Sequence, residues 1–268
     1  MAVSMADLAD DLAAESAVLR DVLAPLHGPD WGRETPAEGW TIADQVTHLA
    51  YFDDVAVESA IRPDEFRAER DRIEAEGGVD PDAVANRFRH LPGTAVLSWF
   101  DQARDRLLAS FRPLDPSLRV PWFGPAMSAA SSLTARIMET WAHGQDIADT
   151  LGVVREPTGR LRHVAHIGVG ARDFSYATNG LTAPRAPVRV ELTAPGGETW
   201  AWGPEGAADR ITGPALEFCL LVTQRRHRDD LDLEIAGPAA VEWMRIAQAF
   251  AGPPGTGRAR RPSAKEEA

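Results

Sequence analysis

The sequence predicts a two-unit fold, a four-helix bundle followed by a small α+β domain. Three observations carry that reading. Apolar residues recur at helical spacing in four stretches between residues 6 and 151. The pattern changes after Glu156-Pro157-Thr158-Gly159. Beyond it, Pro187–Thr193 and Glu198–Gly203 alternate on either side of a Pro195-Gly196-Gly197 turn, the signature of a β-hairpin. The expected boundaries are residues 1–155 for the bundle, 156–252 for the α+β domain and 253–268 for a disordered tail rich in Gly, Pro, Arg and Glu.

Each element has its own signal. Leu8, Leu12, Leu19 and Val22 line one side of a helix over residues 6–24, interrupted only by Glu15 and ended by Pro25. A Gly- and Pro-rich loop follows. Thr41 is an N-cap with Asp44 at the third helical position, and the second helix runs to about Ile61 with Ile42, Leu49, Phe52 and Ala56 on one side. Residues 62–78 are highly charged and end in Gly77-Gly78, as a helix extension or a mobile excursion. A third helical region starts near Pro81, breaks at Pro92-Gly93 and resumes through Val96, Phe100, Leu107 and Phe111. After the aromatic loop Pro121-Trp122-Phe123-Gly124-Pro125, Ser128 or Ser131 caps a fourth helix that stops at Gly152. The second unit reads as a helix over 160–177, the hairpin, a short strand near Ile211 and a helix over 214–225. A strand over 231–235 and a last helix over 238–250 complete it.

Composition excludes several classes of chemistry. The net charge of −12 argues against a nucleic-acid surface. No stretch approaches 18 apolar residues and no secretion signal is legible at the N-terminus, so a cytoplasmic protein without a membrane segment is expected. The single cysteine, Cys219, rules out an internal disulfide and a cysteine-based zinc cage, and its apolar run Phe218–Val222 marks it as core. The single lysine, Lys265, argues against Schiff-base and phosphate-loop chemistry.

What remains is histidine, carboxylate, arginine, hydroxyls or a borrowed group. Glu139 and His143 stand four residues apart, on one face of the fourth helix. His48, on the second helix beside Phe52, is the candidate third member of a two-histidine, one-carboxylate metal centre. Spacing alone leaves that reading level with ordinary hydrogen-bonded or solvated side chains, although an unpaired carboxylate among Ile137, Met138 and Trp141 is expensive and a metal would remove the penalty.

Two segments carry a family resemblance: Trp40-Thr41-Ile42-Ala43-Asp44-Gln45-Val46-Thr47-His48-Leu49 and Glu139-Thr140-Trp141-Ala142-His143-Gly144-Gln145-Asp146-Ile147. Through them the first half resembles the DinB-like metal-binding bundles, specifically their mycothiol-dependent, maleylpyruvate-isomerase-like branch. Many DinB-like proteins supply three histidines, and Glu139 in the first place of the late pair is what that branch looks like. The second half is similar to the branch's sterol-carrier-like α+β domain. The resemblance implies His48, Glu139 and His143 as ligands of a divalent metal, zinc first. It also implies mycothiol as the borrowed thiol that a chain with only a buried cysteine lacks.

The expected activity is thiolate-driven cis–trans isomerisation of, or S-transfer to, a small electrophile, with His48 counted among the catalytic residues. Arg225 and Arg226 are candidate clamps for a substrate carboxylate, set against a plain helix-end role. Asp146 orients a ligand or binds the thiol cofactor in one reading and is a surface charge in the other. Trp122, with Phe123, is a candidate pocket wall for that cofactor. His163 and His166, three apart, lack a third ligand for a second metal. A metal-dependent hydrolase and a non-catalytic ligand-binding module are the rival functions, and the chain is expected as a monomer or homodimer.

Overall fold

The computed structural model describes residues 4–261. The chain divides into two compact units, Met1–Val154 and Arg155–Ala268.

The first unit is helical: α1 (Met5–Leu23), α2 (Ile42–Ile61), α3 (Pro63–Ala75), α4 (Pro81–Phe88), α5 (Gly93–Phe111) and α6 (Ala129–Leu151). α2 packs on α5 and α6, and α1 on α6, which makes α1, α2, α5 and α6 the bundle. The ends are set by local chemistry. Asp44 accepts from the Thr41 amide at 2.8 Å while Thr41 Oγ1 takes the Asp44 amide, closing a capping box at the start of α2. Ser128 Oγ takes the Ser131 amide at 3.0 Å to start α6. Gly152, left-handed at φ 68, ends it, and Val153 N–H closes on Ala148 O at 2.9 Å. The charged stretch expected as an extension or excursion is a helix of its own, α3, whose start is fixed by Pro63 at its first position. Two short strands, β1 (Arg119–Val120) and β2 (Met127–Ser128), pair antiparallel and fix the ends of the aromatic loop; two-residue strands leave no alternation to read in advance.

The interior of this unit has three layers. One apolar cluster joins Leu8, Leu12, Val57, Leu107, Phe111, Leu133 and Ile137. A second joins Leu19, Leu23, Ile42, Val46, Leu49, Phe100 and Ile147. Between them along every helix lies a buried polar knot. Asp53 accepts from Arg104 Nε at 2.7 Å and Arg136 Nε at 2.9 Å. Arg104 also donates to Ser16 Oγ and, at 3.0 Å, to Thr140 Oγ1, so all four bundle helices meet there. Two arginines on one carboxylate would leave a buried positive charge; buried Glu15 supplies further negative charge toward Arg104.

The second unit is α+β: α7 (Leu161–Gly170), α8 (Arg172–Thr178), β3 (Val188–Thr193), β4 (Thr199–Trp202), β5 (Asp209–Pro214), α9 (Ala215–Val222), β6 (Glu234–Ala236) and α10 (Pro238–Ile246). The sheet order is β4-β3-β5-β6, with the β3–β5 pair parallel and the other two antiparallel. α7 packs on α9 and α8 on α10. Val190, Leu192 and Ile211 turn inward. Asp209 accepts from the amides of Ala239 at 2.7 Å and Ala240 at 3.1 Å, capping α10 from the sheet. Gly237, at φ 89, lets that carboxylate approach; a Cβ there would sit 2.4 Å from Asp209 Oδ1.

Several boundaries differ from the sequence reading. The single helix expected over 160–177 breaks at Ala171, just past Gly168 and Gly170, which weaken the helix at that point. α9 stops at Val222, with Gln224 left-handed at φ 59, rather than continuing to Arg225. The strand expected over 231–235 is shorter and starts later, as β6 at Glu234–Ala236, after a 3-10 turn at Arg228–Asp230. α10 ends at Ile246, not Phe250. Residues 253–261 run without helix or strand, and Gly255 N–H bonds Gln248 Oε1 at 3.1 Å. The rest of the expected tail, 262–268, lies outside the described residues.

Candidate metal centre

α2 and α6 lie side by side, and the pairing brings His48 onto the Glu139–His143 face. Glu139 Oε2 is 3.1 Å from His143 Nε2 and 3.6 Å from His48 Nε2. The one-turn spacing on α6 accounts for the first contact; the second requires the register of α2 against α6. Among the described residues this is the only group of three His, Cys, Asp or Glu whose donor atoms could share one metal ion, and they lie within 4.8 Å of one another. His163 and His166 belong to no such group.

The site is largely shielded from water. Side-chain exposure is 14% for His48, 19% for Glu139 and 10% for His143. Burial, reinforced by the neighbouring His143, lowers the His48 pKa to about 4, so its ring is neutral at physiological pH. Burial pushes the Glu139 carboxyl up, but hydrogen bonds to His143 and His48 outweigh it and hold Glu139 ionised, well below its ordinary range. Two imidazoles, one of them neutral by burial, and one carboxylate are the donor set that suits a divalent transition metal. The buried His48 Nδ1 has no hydrogen-bond partner. The residues therefore fit such an ion.

Aromatic rings and one amide frame the three donors. Trp40 lies 5.4 Å from the His48 ring and stacks on His143 at 6.0 Å and 19°. Its indole N–H is anchored on Asp82 at 2.6 Å. Phe52 lies 4.6 Å from His48 on the other side. Gln45, fully buried one turn before His48, meets His143 Nδ1 through its Oε1. Sequence reasoning gave Gln45 and Trp40 no role, although both stand inside the segment that carries His48. The i, i+3 spacing of Gln45 and His48 was the available signal.

Other candidate residues divide by unit. Trp122 is half-buried, stacked with Phe66 at 6.3 Å and 15° and 6.3 Å from Phe52, which links it through one ring to His48. Phe123 packs on Phe66 and Trp122 in the same cluster. Asp146 is fully buried on α6, one turn beyond His143, so its reading as a surface charge is corrected. Arg225 and Arg226 belong to the second unit, where each donates at 2.6 Å to a nearby backbone carbonyl, Thr223 O and Arg225 O. Arg226 also lines a cavity of about 380 Å³ together with Arg228, Arg245 and Arg258. Cys219 is fully buried, its thiol donating to Leu161 O at 3.4 Å and its pKa driven far upward by burial.

Comparison with known proteins gives the fold and the family. The chain is similar to two solved structures, a mycothiol-dependent maleylpyruvate isomerase and a point mutant of it. Their TM-scores are 0.58 and 0.59, with 16% and 14% identity, over 89% of this chain and 96% of each of theirs. At that identity the likeness concerns the fold, a helical unit followed by an α+β unit. The chain is 46% identical to an uncharacterized protein of Mycobacterium tuberculosis, over 92% of this chain and 96% of the relative, equally in strains CDC 1551 / Oshkosh and H37Rv. Residues 184–233 match a family described as wyosine base formation. Residues 12–148, which hold all three donors of the cluster, match the mycothiol maleylpyruvate isomerase N-terminal domain, and the chain belongs to that family.

Proposed function

We propose that this protein is a metal- and mycothiol-dependent enzyme that isomerises a small electrophilic alkene or transfers a thiol to it. The observation that carries this reading is the convergence of His48, Glu139 and His143 on one shielded point, with His48 neutral and Glu139 ionised. These three side chains would hold a divalent cation, zinc first among the candidates. The cation and a low-molecular-weight thiol would between them supply a nucleophilic thiolate at neutral pH, the reagent for cis–trans isomerisation or S-transfer. Buried Cys219 offers no competing thiolate, which supports a thiol brought from outside.

The chain's own residues do the rest. Glu139 contributes the one formal negative charge among the three donors, which leaves a divalent ion with net positive charge and thus electrophilic. Trp40 and Phe52 cover the histidine rings and keep bulk water from them. Trp122 and Asp146 are proposed for the thiol cofactor, Trp122 because its ring cluster borders His48 and Asp146 because it lies one turn beyond His143. Arg225 and Arg226 are proposed to hold a substrate carboxylate. The domain limits proposed for these roles are 1–155 and 156–252.

The test is elemental analysis of the purified full chain beside His48→Ala, Glu139→Ala and His143→Ala, followed by turnover with and without added thiol. Near-stoichiometric divalent metal, lost in each variant, together with thiol-dependent turnover supports the proposal. Metal without thiol dependence would move the reading to a hydrolase. Absence of metal and of uptake on titration would leave a ligand-binding module.

A further inference from the structure

The hydrogen bonds behind His143 have a definite direction. Thr35 Oγ1 lies 2.8 Å from Trp40 O and 3.5 Å from Ala37 O, so its single proton goes to the Trp40 carbonyl. With that proton committed, Thr35 Oγ1 can only accept from Gln45 Nε2, 2.9 Å away. The amide is thereby oriented with its carbonyl Oε1 toward His143 Nδ1. A carbonyl oxygen only accepts, so Nδ1 carries a proton. All of these residues belong to the first unit, and Gln45 and Thr35 are both buried.

The far side of the ring follows. With the Nδ1 proton held by Gln45, Nε2 is the ring nitrogen left for a cation, and it faces Glu139 Oε2 at 3.1 Å. His48 Nε2 approaches the same oxygen at 3.6 Å, so both Nε2 atoms and the Glu139 carboxylate converge on one point where a cation would sit. The alternative tautomer, protonated at Nε2, would instead donate to Glu139 and occupy the lone pair a cation needs. We propose that Gln45, oriented by Thr35, is a positioning residue that fixes His143 as the Nδ1-protonated tautomer and so keeps Nε2 open for a divalent cation. The inference rests on the metal-centre reading for its consequence and on the Thr35–Gln45–His143 chain for its geometry. It assigns roles to two residues outside the donor set, and hydrogen bonds of this kind to ligating histidines change metal affinity by about 10–100-fold.

The experiment uses the full chain labelled with ¹⁵N-histidine and stripped of metal by chelator. Two-bond ¹H–¹⁵N correlations read the protonation of each His143 ring nitrogen in the wild type, Gln45→Leu and Gln45→Glu, with His143→Ala assigning the signals. The expected wild-type pattern is a protonated Nδ1. In Gln45→Leu the proton is expected to move to Nε2, and zinc affinity by chelator competition to fall about 10–100-fold. Gln45→Glu, which keeps an acceptor facing the ring, is expected to retain the wild-type pattern. An unprotonated Nδ1 in the wild type, or an unchanged ring in Gln45→Leu, overturns the proposal. If Gln45→Leu does not fold, the wild-type and Gln45→Glu shifts still decide it. A wild type that takes up no zinc defeats the metal centre and with it the consequence assigned to Gln45, while the ring shifts report on the hydrogen-bond chain separately.

Discussion

Asp53 Oδ1 accepts from Arg136 Nε at 2.9 Å in the interior of the bundle, with Asp53 fully buried and Arg136 at 4% exposure. The bond joins α2 to α6 between the levels of the two apolar clusters. It therefore helps set the register on which the meeting of His48 with Glu139 depends, since Arg136 precedes Glu139 by three residues and His48 precedes Asp53 by five. Removing the carboxylate would strand two buried guanidinium groups. Asp53→Ala is expected to cost about 3–5 kcal/mol of unfolding free energy, the range for breaking one partner out of a buried ion pair. Urea unfolding of the metal-free chain measures it. A loss under 1 kcal/mol would mean that water reaches the knot.

The His48 ring gives the metal-free protein an acid-sensitive stability. Its folded pKa, lowered to about 4 by burial and then by His143, lies below the ordinary 6.5. Between those values the unfolded chain binds a proton that the folded chain refuses, so stability falls as the pH falls from 6.5 toward 4. The full shift corresponds to roughly 3 kcal/mol. Glu139, held below its ordinary range, adds a loss of the same sign at lower pH as its carboxylate takes up a proton. His48→Leu is expected to flatten the upper part of the profile in chelator-treated protein. An unchanged slope between pH 6.5 and 4 would assign the effect to other groups.

Asp44 anchors the segment that carries both Gln45 and His48. Its carboxylate closes the capping box with Thr41 and accepts from Arg89 Nε and Nη2, each at 3.0 Å. Asp44→Ala removes the box and the ion pair together. The expected destabilisation is about 1–3 kcal/mol, read by thermal or urea unfolding. Because α2 starts at this point, the variant is also expected to release bound metal to a chelator faster than wild type. Stability loss without faster release would separate the cap from the site.

How much was legible in the sequence depended on whether the cause was local. The capping box at Thr41 and Asp44, the Gly152 stop and the hairpin around Gly196-Gly197 are written in neighbouring residues, and each was read at its place. The Glu139–His143 pairing is likewise a matter of helical period. The approach of His48 to them is not local: it rests on α2 packing on α6, so the residues alone left His48 level with its ordinary reading and family resemblance moved it further. The Asp53–Arg104–Arg136 knot stayed invisible because an Asp or Arg within a helical stripe reads as surface until its partners on other helices are known. Gln45 was passed over for the same reason. The break at Ala171 follows Gly168 and Gly170, whose cost to the helix a continuous apolar period does not display.

Cys219 supplies the last test, because a borrowed thiol is required only if the chain's own thiol is inert. The side chain is fully buried among Phe218, Leu220, Leu221 and Val222, and burial drives its pKa far above the ordinary thiol value. A thiol held protonated and shielded reacts only when the second unit opens. Iodoacetamide or a chromogenic disulfide is therefore expected to modify native protein at the rate of that opening, and to modify it quickly in denaturant. Cys219→Ala deletes a small buried group and is expected to cost roughly 1 kcal/mol, leaving thiol-dependent turnover unchanged. Rapid labelling of the native chain, or loss of turnover in a folded Cys219→Ala, would make this cysteine a participant and remove the need for an external thiol.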